Sequence, residues 1–437
     1  MGRTARIRGR KHKRFLDKSN IHDFSVLRDL DHWMRSLNWS PTCFLTPHFF
    51  SGTGRGLKCL ELIPTYQVLM KIPRNLLITT FSISQSEIIK IFSKTRNYDP
   101  QTVLSVFLCF EKHLGDDSKW KYYIKSLPDR YTVPDYCKNN EKTILSSFIL
   151  QDLPKQSQRV VNNYKMIVES INELRNRGND TCGHCRGYLR EILSFRDFKW
   201  GFYTVNTRAV YIDSSKNANS LVNIYGEDNL ALAPFLDLFN HSYEASVDVG
   251  LEADDDSREF YRIRTLKPFP FGSQVFINYG AHSNAKLYLE YGFFIVDNPL
   301  DEIFIDYGMI ERSLLLSKDT GEFIRTNGFD RSIGFSAEGF NYHGKIVLFV
   351  ISTDLGQSYW KERIYRYDFS ENEMLRIAEL GIKLVNFKKM ELIEKLREMK
   401  KSVNHSESFK IFLSLTDEYI YLCDKCLGNL TSRKSNN

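Results

Sequence analysis

The sequence predicts an α+β fold with a β-rich centre, a helical insertion before that centre and an all-α C-terminal domain after it. Three observations lead to this prediction. Apolar residues recur at helical spacing from about residue 99 to 207, they alternate with polar residues from 247 to 278, and helical spacing returns after residue 371. With 437 residues, 42% of them hydrophobic, the chain is long enough for two or three domains and can bury a sizeable core.

The clearest predicted helix covers residues 99 to 115. Asp99 can cap its first turn, Pro100 stands where a missing N–H costs nothing, and Gly115 can end it. The same spacing predicts further helices over residues 24–37, 158–177 and 188–207, and several more after residue 371.

Strands are predicted where apolar and polar residues alternate. Between residues 260 and 266, Tyr261 and Ile263 face one side while Arg262 and Arg264 face the other. The same pattern predicts strands over residues 247–251 and 275–278, and the short apolar runs that follow the glycine-rich stretch Gly52–Gly56 predict strands up to Ile72.

The positive charge of the chain is concentrated in its first twenty residues. They hold eight Lys and Arg against the single acid Asp17, which accounts for the whole net charge of +7, so the remaining residues carry equal numbers of basic and acidic groups. The body of the chain therefore shows no global sign of a nucleic-acid or membrane surface. For the tail, three interpretations stay open: a solvated tail, a nuclear localisation signal or an organelle presequence.

Membrane insertion and secretion are not expected. No run of about 18 apolar residues exists, and no apolar run follows the basic N-terminus. We therefore expect the eight cysteines to be reduced thiols.

Three segments carry polar groups in unusual places. In Leu236–Ser242, the side chains of Asp237, Asn240 and His241 lie among apolar residues, so they must satisfy one another or hold a ligand. The stretch Ser51–Gly56 lets a backbone approach a ligand, although a surface turn explains it better when it is taken alone. In Phe276–Gly280 a tyrosine ends a predicted strand, and a single tyrosine in that position is more often structural than catalytic.

Taken together and in this order, the segments resemble the SET-domain methyltransferases, in particular the subgroup related to the Rubisco large-subunit lysine methyltransferase. The resemblance covers about residues 45 to 300. The matching stretches are Gly52–Leu57, Trp120–Pro128, Thr204–Tyr211, Leu232–His241 and Val275–Phe293.

The resemblance implies that the Asn-His and Tyr-Gly segments meet in a knot-like crossing beside an S-adenosylmethionine pocket. Tyr279 would be the catalytic phenol, and Asp237 would be a structural partner within the crossing. Tyr291 and Phe293 would line the substrate channel. The residues that would hold the cofactor are Gly54, Arg55, Gly56, Arg208, Asn240, His241, Tyr279 and Phe293. This subgroup uses no metal in catalysis.

The resemblance also implies an activity and a domain plan. The activity would be protein-lysine N-methylation of a histone or non-histone protein in the nucleus and/or the cytoplasm, with a possible chromatin contact through the tail. The domains would be a basic tail (1–20), a SET domain (21–300) with a helical insertion at about 85–200, and a helical substrate-binding domain (301–437).

Two alternatives stay open. Histidine methylation occurs in one branch of the subgroup, but that branch carries an Asn two residues after the Arg of the Thr-Arg pair, where this chain has Val210. A catalytically silent SET scaffold that binds chromatin or protein partners would be signalled by loss of Tyr279 or of the pair Asn240-His241, and all three residues are present.

Two Cys-x-x-Cys pairs need a separate interpretation. Cys423 and Cys426 fall at helical spacing, and Cys182 and Cys185 lie in a glycine-rich loop between predicted helices, which does not match a thioredoxin-type site. The distance between the pairs along the chain is not that of a zinc ribbon. We therefore predict ordinary thiols and no metal site, with a zinc ion joining the two pairs as the alternative.

Overall fold

The chain divides into two structural units. The computed structural model describes residues 20–92, 95–148, 150–213, 221–353, 355–401 and 404–435, so residues 1–19 of the predicted tail lie outside it. The first unit combines the chain up to Tyr131 with Lys155–Gly280, and the second combines Thr132–Pro154 with the chain from Ala281 onward. The domain boundaries given above follow the family pattern and stay a prediction.

Within the described residues of the first unit, the strands form three sheets. Their strands are β1 Leu45–Phe50, β2 Gly54–Cys59, β3 Val68–Pro73, β4 Ala209–Tyr211, β5 Leu230–Leu232, β6 Asn240–His241, β7 Val247–Ala253, β8 Glu259–Thr265 and β9 Gln274–Ile277. The sheet orders are β1-β2-β9-β6, β3-β8-β7 and β4-β5. These pairings are antiparallel except for β6 with β9, which run parallel.

The first unit also contains helices. They are α1 Asn20–Ser36, α2 Pro100–Leu114, α3 Lys121–Ser126, α5 Leu153–Asn176, α6 Leu189–Ile192 and α7 Phe195–Arg208, with 3₁₀ turns between residues 74 and 91. Helix α2 has the predicted ends: Asp99 accepts the Thr102 N–H at 2.7 Å, and Gly115 has φ +58°. The single helix predicted over 188–207 is instead two, because Ser194 starts a new helix by accepting the N–H of Asp197.

Helices α2 and α7 lie in direct contact. A Cβ atom on Gly201 would stand 2.6 Å from the carbonyl oxygen of Ser105, so glycine permits the close approach of the two backbones. Every α2 residue from Pro100 to Glu111 is buried, which makes this helix the centre of the helical insertion.

The second unit is helical, as predicted, and it also contains a small sheet. Its helices are α4 Asn139–Phe148, α8 Asn284–Tyr291, α9 Tyr307–Ser313, α10 Lys318–Thr326, α11 Tyr342–Ser352, α12 Gln357–Arg366, α13 Glu371–Lys400 and α14 Glu407–Ser435. The sheet joins β10 Ile303–Phe304, β11 Gly334–Ser336 and β12 Gly339–Phe340. The prediction of an all-α region missed this sheet because strands of two or three residues are too short to show alternation.

A long helical pair organises the core of the second unit. Leu384 and Leu392 of α13 and Phe412, Leu415 and Tyr419 of α14 are buried in one apolar cluster. No helix in the described parts of the chain is both long and apolar enough to cross a bilayer.

Candidate active site

The Asn-His and Tyr-Gly segments lie side by side in the first unit. Strand β6 consists of Asn240 and His241, which stand opposite Phe276 and Ile277 of β9. A parallel pair cannot be joined by a hairpin, so a long connection through β7 and β8 separates these two strands along the chain. The pairing brings the Asn-His and Tyr-Gly segments, almost forty positions apart in the chain, next to each other, as expected for the crossing.

Tyr279 follows the end of β9 and turns back over β6. Its hydroxyl donates to the main-chain carbonyl of Phe239 at 2.6 Å, and its main-chain N–H donates to Nδ1 of His241 at 3.0 Å. The Tyr279 and His241 rings stack with centroids 5.1 Å apart. These three contacts fix Tyr279, two of them through its phenol. His241 is buried, whereas Tyr279 is only partly buried and stays partly accessible.

Asn240 links this crossing to the glycine-rich strand. Its side-chain N–H₂ donates to the carbonyl of Arg55 at 2.8 Å and to that of Thr53 at 3.4 Å. The Asn240 amide also packs against Gly56. A Cβ atom on Gly56 would stand 2.9 Å from Asn240 Nδ2 and 2.5 Å from Gln274 Nε2. The close approach of the Asn240 amide therefore requires glycine.

The expectation that a surface turn explains the glycine stretch is wrong in part. Residues 51–53 do form a turn, but strand β1 precedes it and Gly54 opens strand β2. Strand pairing with β1 and β9 overrides the low strand propensity of glycine. Gly54 has φ +73°, a backbone conformation that glycine adopts without a steric penalty, and space around its Cα is open.

Arg208 and Asp237 form a buried ion pair beside the crossing. Arg208 Nη1 donates to Asp237 Oδ2 at 3.0 Å and to its carbonyl at 3.2 Å, and Tyr123 donates its hydroxyl to the same carboxylate oxygen at 3.0 Å. Burial is the largest influence on the pKa of Arg208 and lowers it, but the Asp237 carboxylate and the Tyr131 and Tyr123 hydroxyls together outweigh burial, so the pKa lies above its ordinary value. Burial, followed by the Asp237 charge, holds the pKa of Tyr123 well above its ordinary value.

The structure places the predicted site residues in two groups. Gly54, Arg55, Gly56, Arg208, Asn240, His241 and Tyr279 all belong to the first unit, where the contacts above connect most of them. Tyr291 and Phe293 belong to the second unit, where their rings lie 6.2 Å apart and the Tyr291 ring stacks on His282. Their roles as channel and cofactor residues stay predictions.

Sequence reasoning missed Tyr123 and the carbonyl of Phe239. Tyr123 lies in the segment Trp120–Pro128, which was noticed only as a matching stretch, and its complete burial decides its importance. No sequence signal distinguishes the Phe239 carbonyl, because any residue at that position supplies one.

A two-residue strand bearing Asn-His pairs in parallel with a strand that is followed two residues later by Tyr-Gly, and this arrangement is that of the SET-domain methyltransferase fold. Residues 54–280, more than half of the chain, match the SET domain family, and the chain belongs to that family.

The relatives of the chain lie in two groups. SET domain-containing protein 4 of Artemia parthenogenetica is 31% identical over 89% of this chain and 94% of its own length, and the mouse protein of that name is 33% identical over 68% and 65%. The actin-histidine N-methyltransferase of Danio rerio is 28% identical over 60% of this chain and 41% of its own length. The chain thus spans slightly less than two thirds of the mouse relative.

Solved structures share the fold. One is the SET domain of LSMT bound to lysine and AdoHcy, with a TM-score of 0.58 and 18% identity, and another is Rubisco LSMT bound to AdoMet, with a TM-score of 0.57 and 19% identity. Each comparison covers 94% of this chain and 92% of the other.

Proposed function

We propose that the chain is a protein-lysine N-methyltransferase that uses S-adenosylmethionine. The observation that carries this proposal is the fixed phenol of Tyr279, hydrogen-bonded to the Phe239 carbonyl and stacked on His241. Methyl transfer is supported by the relatives, which include actin-histidine N-methyltransferases, and lysine is supported by the shared fold of an LSMT bound to lysine and AdoHcy.

The residues present fit such a cofactor. Arg208 Nε is buried and has no hydrogen-bond partner within the described parts of the chain, and a buried donor of this kind suits a bound polar group. The open space at Gly54 gives the backbone of β2 a surface that a ligand can approach. The backbone of Gly54, Arg55 and Gly56 would hold the cofactor together with Arg208, Asn240, His241, Tyr279 and Phe293. The cofactor supplies an activated methyl group on a sulfonium.

The chain's own contribution to methyl transfer is the positioning of an amine. The hydroxyl of Tyr279 donates its proton to the Phe239 carbonyl, so its oxygen meets any amine N–H as an acceptor. This contact orients the amine lone pair for in-line attack. A lysine amine, whose ordinary pKa is near 10.4, must be neutral to attack, and an apolar channel favours the neutral form. Tyr291 and Phe293 are the aromatic residues we assign to that channel.

Histidine is the alternative substrate, because actin-histidine N-methyltransferases are among the relatives. Val210 argues for lysine. It lies on β4, opposite Ala231, and its apolar side chain offers no hydrogen bond to an imidazole. An assay on peptides that contain only lysine or only histidine as acceptor separates the two, and transfer to histidine alone would overturn the lysine assignment.

Replacement of Tyr279 tests the catalytic role. We expect Tyr279→Phe to bind S-adenosylmethionine almost as tightly as the parent chain, measured by calorimetry, and to lower methyl transfer by at least about 100-fold. Tyr225→Phe, at an exposed tyrosine of the same unit, is the control. Unchanged transfer in Tyr279→Phe would mean that the wrong residue is named. Cofactor binding by the parent chain without any transfer would favour the silent scaffold.

The substrate is a protein, and histone and non-histone proteins are both candidates. Mass spectrometry of a cell extract after incubation with labelled cofactor identifies the modified residue. We propose that the protein acts in the nucleus and/or the cytoplasm, and that the basic tail contacts chromatin. If the tail contacts phosphates, removal of residues 1–19 weakens nucleosome binding and flattens its dependence on salt.

A further inference from the structure

Two cysteines and a histidine converge within the helical insertion. His113 lies in the last turn of α2, and Cys182 and Cys185 lie in the loop between α5 and α6. One ligand atom from each of the three residues lies within 4.8 Å of the other two, and Cys185 Sγ is 3.2 Å from His113 Nε2. Cys182 is fully buried, His113 is partly buried and Cys185 is exposed.

The loop is built as a tight hairpin that presents both sulfurs on one side. Thr181 and Tyr188 pair across it, and the Cys182 N–H donates to the carbonyl of Gly187 at 2.8 Å. Arg186 has φ +63°, and this turn lets the Gly187 N–H donate to Cys185 Sγ at 3.3 Å. The turn therefore holds Cys185 Sγ in place beside Nε2 of His113.

We propose that Cys182 Sγ, Cys185 Sγ and the imidazole of His113 bind a divalent metal ion of the zinc class. Two thiolates separated by two residues and one imidazole are ligands that a tetrahedral zinc site uses, and their softness disfavours calcium and magnesium. On binding, each thiol releases its proton to solvent and each sulfur donates an electron pair to the metal. This site replaces the interpretation of these cysteines as ordinary thiols, and it does not require the pair on α14.

The surroundings hold further ligands for the fourth coordination position. The Glu87 carboxylate accepts the Gly183 N–H through both oxygens, at 2.9 and 3.1 Å. The His184 side chain stands between the two cysteines in sequence, with Nε2 3.3 Å from Asp117 Oδ2. Either side chain, or a water molecule, completes the tetrahedron.

The consequence of the site is structural. The metal ties the end of α2 to a loop about seventy positions later in the chain, and closing a loop of that length stabilises the folded state by restricting the unfolded chain. The metal therefore stabilises the helical insertion. It takes no part in the methyl transfer proposed for Tyr279.

Metal analysis of the full-length chain tests the proposal. After anaerobic purification and reconstitution with Zn²⁺, we expect about one zinc per chain by mass spectrometry, resistant to dialysis. With Co²⁺ instead, we expect the charge-transfer absorption of thiolate-bound cobalt. Cys185→Ser should lose both signals, and because that side chain is exposed, the variant should keep its fold by circular dichroism.

The matched control is the second Cys-x-x-Cys pair. We expect Cys423→Ala combined with Cys426→Ala to keep its zinc. Loss of zinc in this folded control, retention of zinc in Cys185→Ser, or no bound zinc in the parent chain would each overturn the proposal. A disulfide between Cys182 and Cys185 in freshly purified, unreduced protein would also overturn it, in favour of a redox pair.

Discussion

Asp237 Oδ2 lies 3.0 Å from Arg208 Nη1, and the two side chains are only 2% and 17% exposed. The pair joins the end of α7 to the turn that leads into β6, so it positions the strand that carries Asn240 and His241. The family resemblance implied that Asp237 is a structural partner and that Arg208 holds the cofactor. In the structure, Arg208 and Asp237 form this structural contact together.

Neutralising Asp237 should therefore destabilise the first unit. Asp237→Asn leaves the buried Arg208 charge without its counter-charge, and we expect a loss of about 3 kcal/mol in the free energy of unfolding. Urea unfolding followed by tryptophan fluorescence measures this loss.

Two controls separate the charge from the hydrogen bonds. Tyr123→Phe removes only the hydroxyl bond to the same carboxylate and should cost about 1 kcal/mol. Asp254→Asn breaks an ion pair with the exposed Arg258 and should leave the free energy of unfolding almost unchanged, because solvent screens the pair. An equal loss of unfolding free energy in Asp237→Asn and Asp254→Asn would contradict a stabilising role for the buried pair of Arg208 and Asp237.

The approach of the Asn240 amide to β2 predicts a glycine requirement. In Gly56→Ala the new Cβ would displace Asn240 Nδ2 and Gln274 Nε2, and the bond from Asn240 to the Arg55 carbonyl would be lost. We expect the affinity for S-adenosylmethionine to fall by about tenfold or more, equivalent to about 1.4 kcal/mol, by calorimetry. Gly52→Ala is the control, since nothing lies within 4 Å of its Cβ position. Identical affinity in the two variants would show that the β2 backbone does not shape the pocket.

Capping residues and hydrophobic periodicity predicted the elements whose formation depends on residues close together in the chain. Asp99 and Gly115 carry their own capping chemistry, so both ends of α2 were visible in the sequence. The alternation of Tyr261 and Ile263 with the arginines likewise predicted β8, which the structure extends from Glu259 to Thr265.

Long-range pairing was not visible in the same way. Strand β6 has only two residues, too few for any periodicity, and its partner β9 lies more than thirty positions later. Only the resemblance to a family suggested that Asn240 and Tyr279 meet. The approach of His113 to Cys185 had no such precedent, because these residues are 72 positions apart and no family pattern linked them.

Asp301 should make the second unit less stable as pH rises. Burial raises the pKa of its carboxyl to about 7, although Asn284 donates both its main-chain and its side-chain N–H to it. Between pH 4 and 7 the folded state therefore keeps a proton that the unfolded state has lost, and stability decreases across this window by up to about 4 kcal/mol. Thermal unfolding at a series of pH values measures the slope of stability against pH.

Asp301→Asn should flatten that slope, because the amide cannot ionise. Asp306→Asn, at an exposed aspartate of the same unit, should leave the slope as it is. A slope that persists in Asp301→Asn would assign the pH dependence to another group.

The ionisation of Glu373 should have the opposite effect on stability at lower pH: the second unit should become less stable as pH falls. Its buried carboxylate accepts hydrogen bonds from Arg363 at 2.6 Å, from Tyr359 at 2.7 Å and from the Ser370 N–H at 2.7 Å, and this last bond closes the capping box of α13. Burial raises the pKa of Glu373, but these bonds, with that of Arg363 the largest, outweigh it and hold the pKa at about 2.

The stability that Glu373 contributes is therefore complete above its unfolded pKa of about 4.3 and is lost as pH falls toward 2. We expect Glu373→Gln to lower the free energy of unfolding at neutral pH by about 2 kcal/mol, with a difference from the parent chain that shrinks between pH 4 and 2. Glu371→Gln is the matched control, since that carboxylate lies in the same first turn but is exposed, and it should cost less than about 1 kcal/mol. A constant difference between Glu373→Gln and the parent chain down to pH 2 would mean that the loss comes from packing of the cap, because only the ionised carboxylate gains from Arg363.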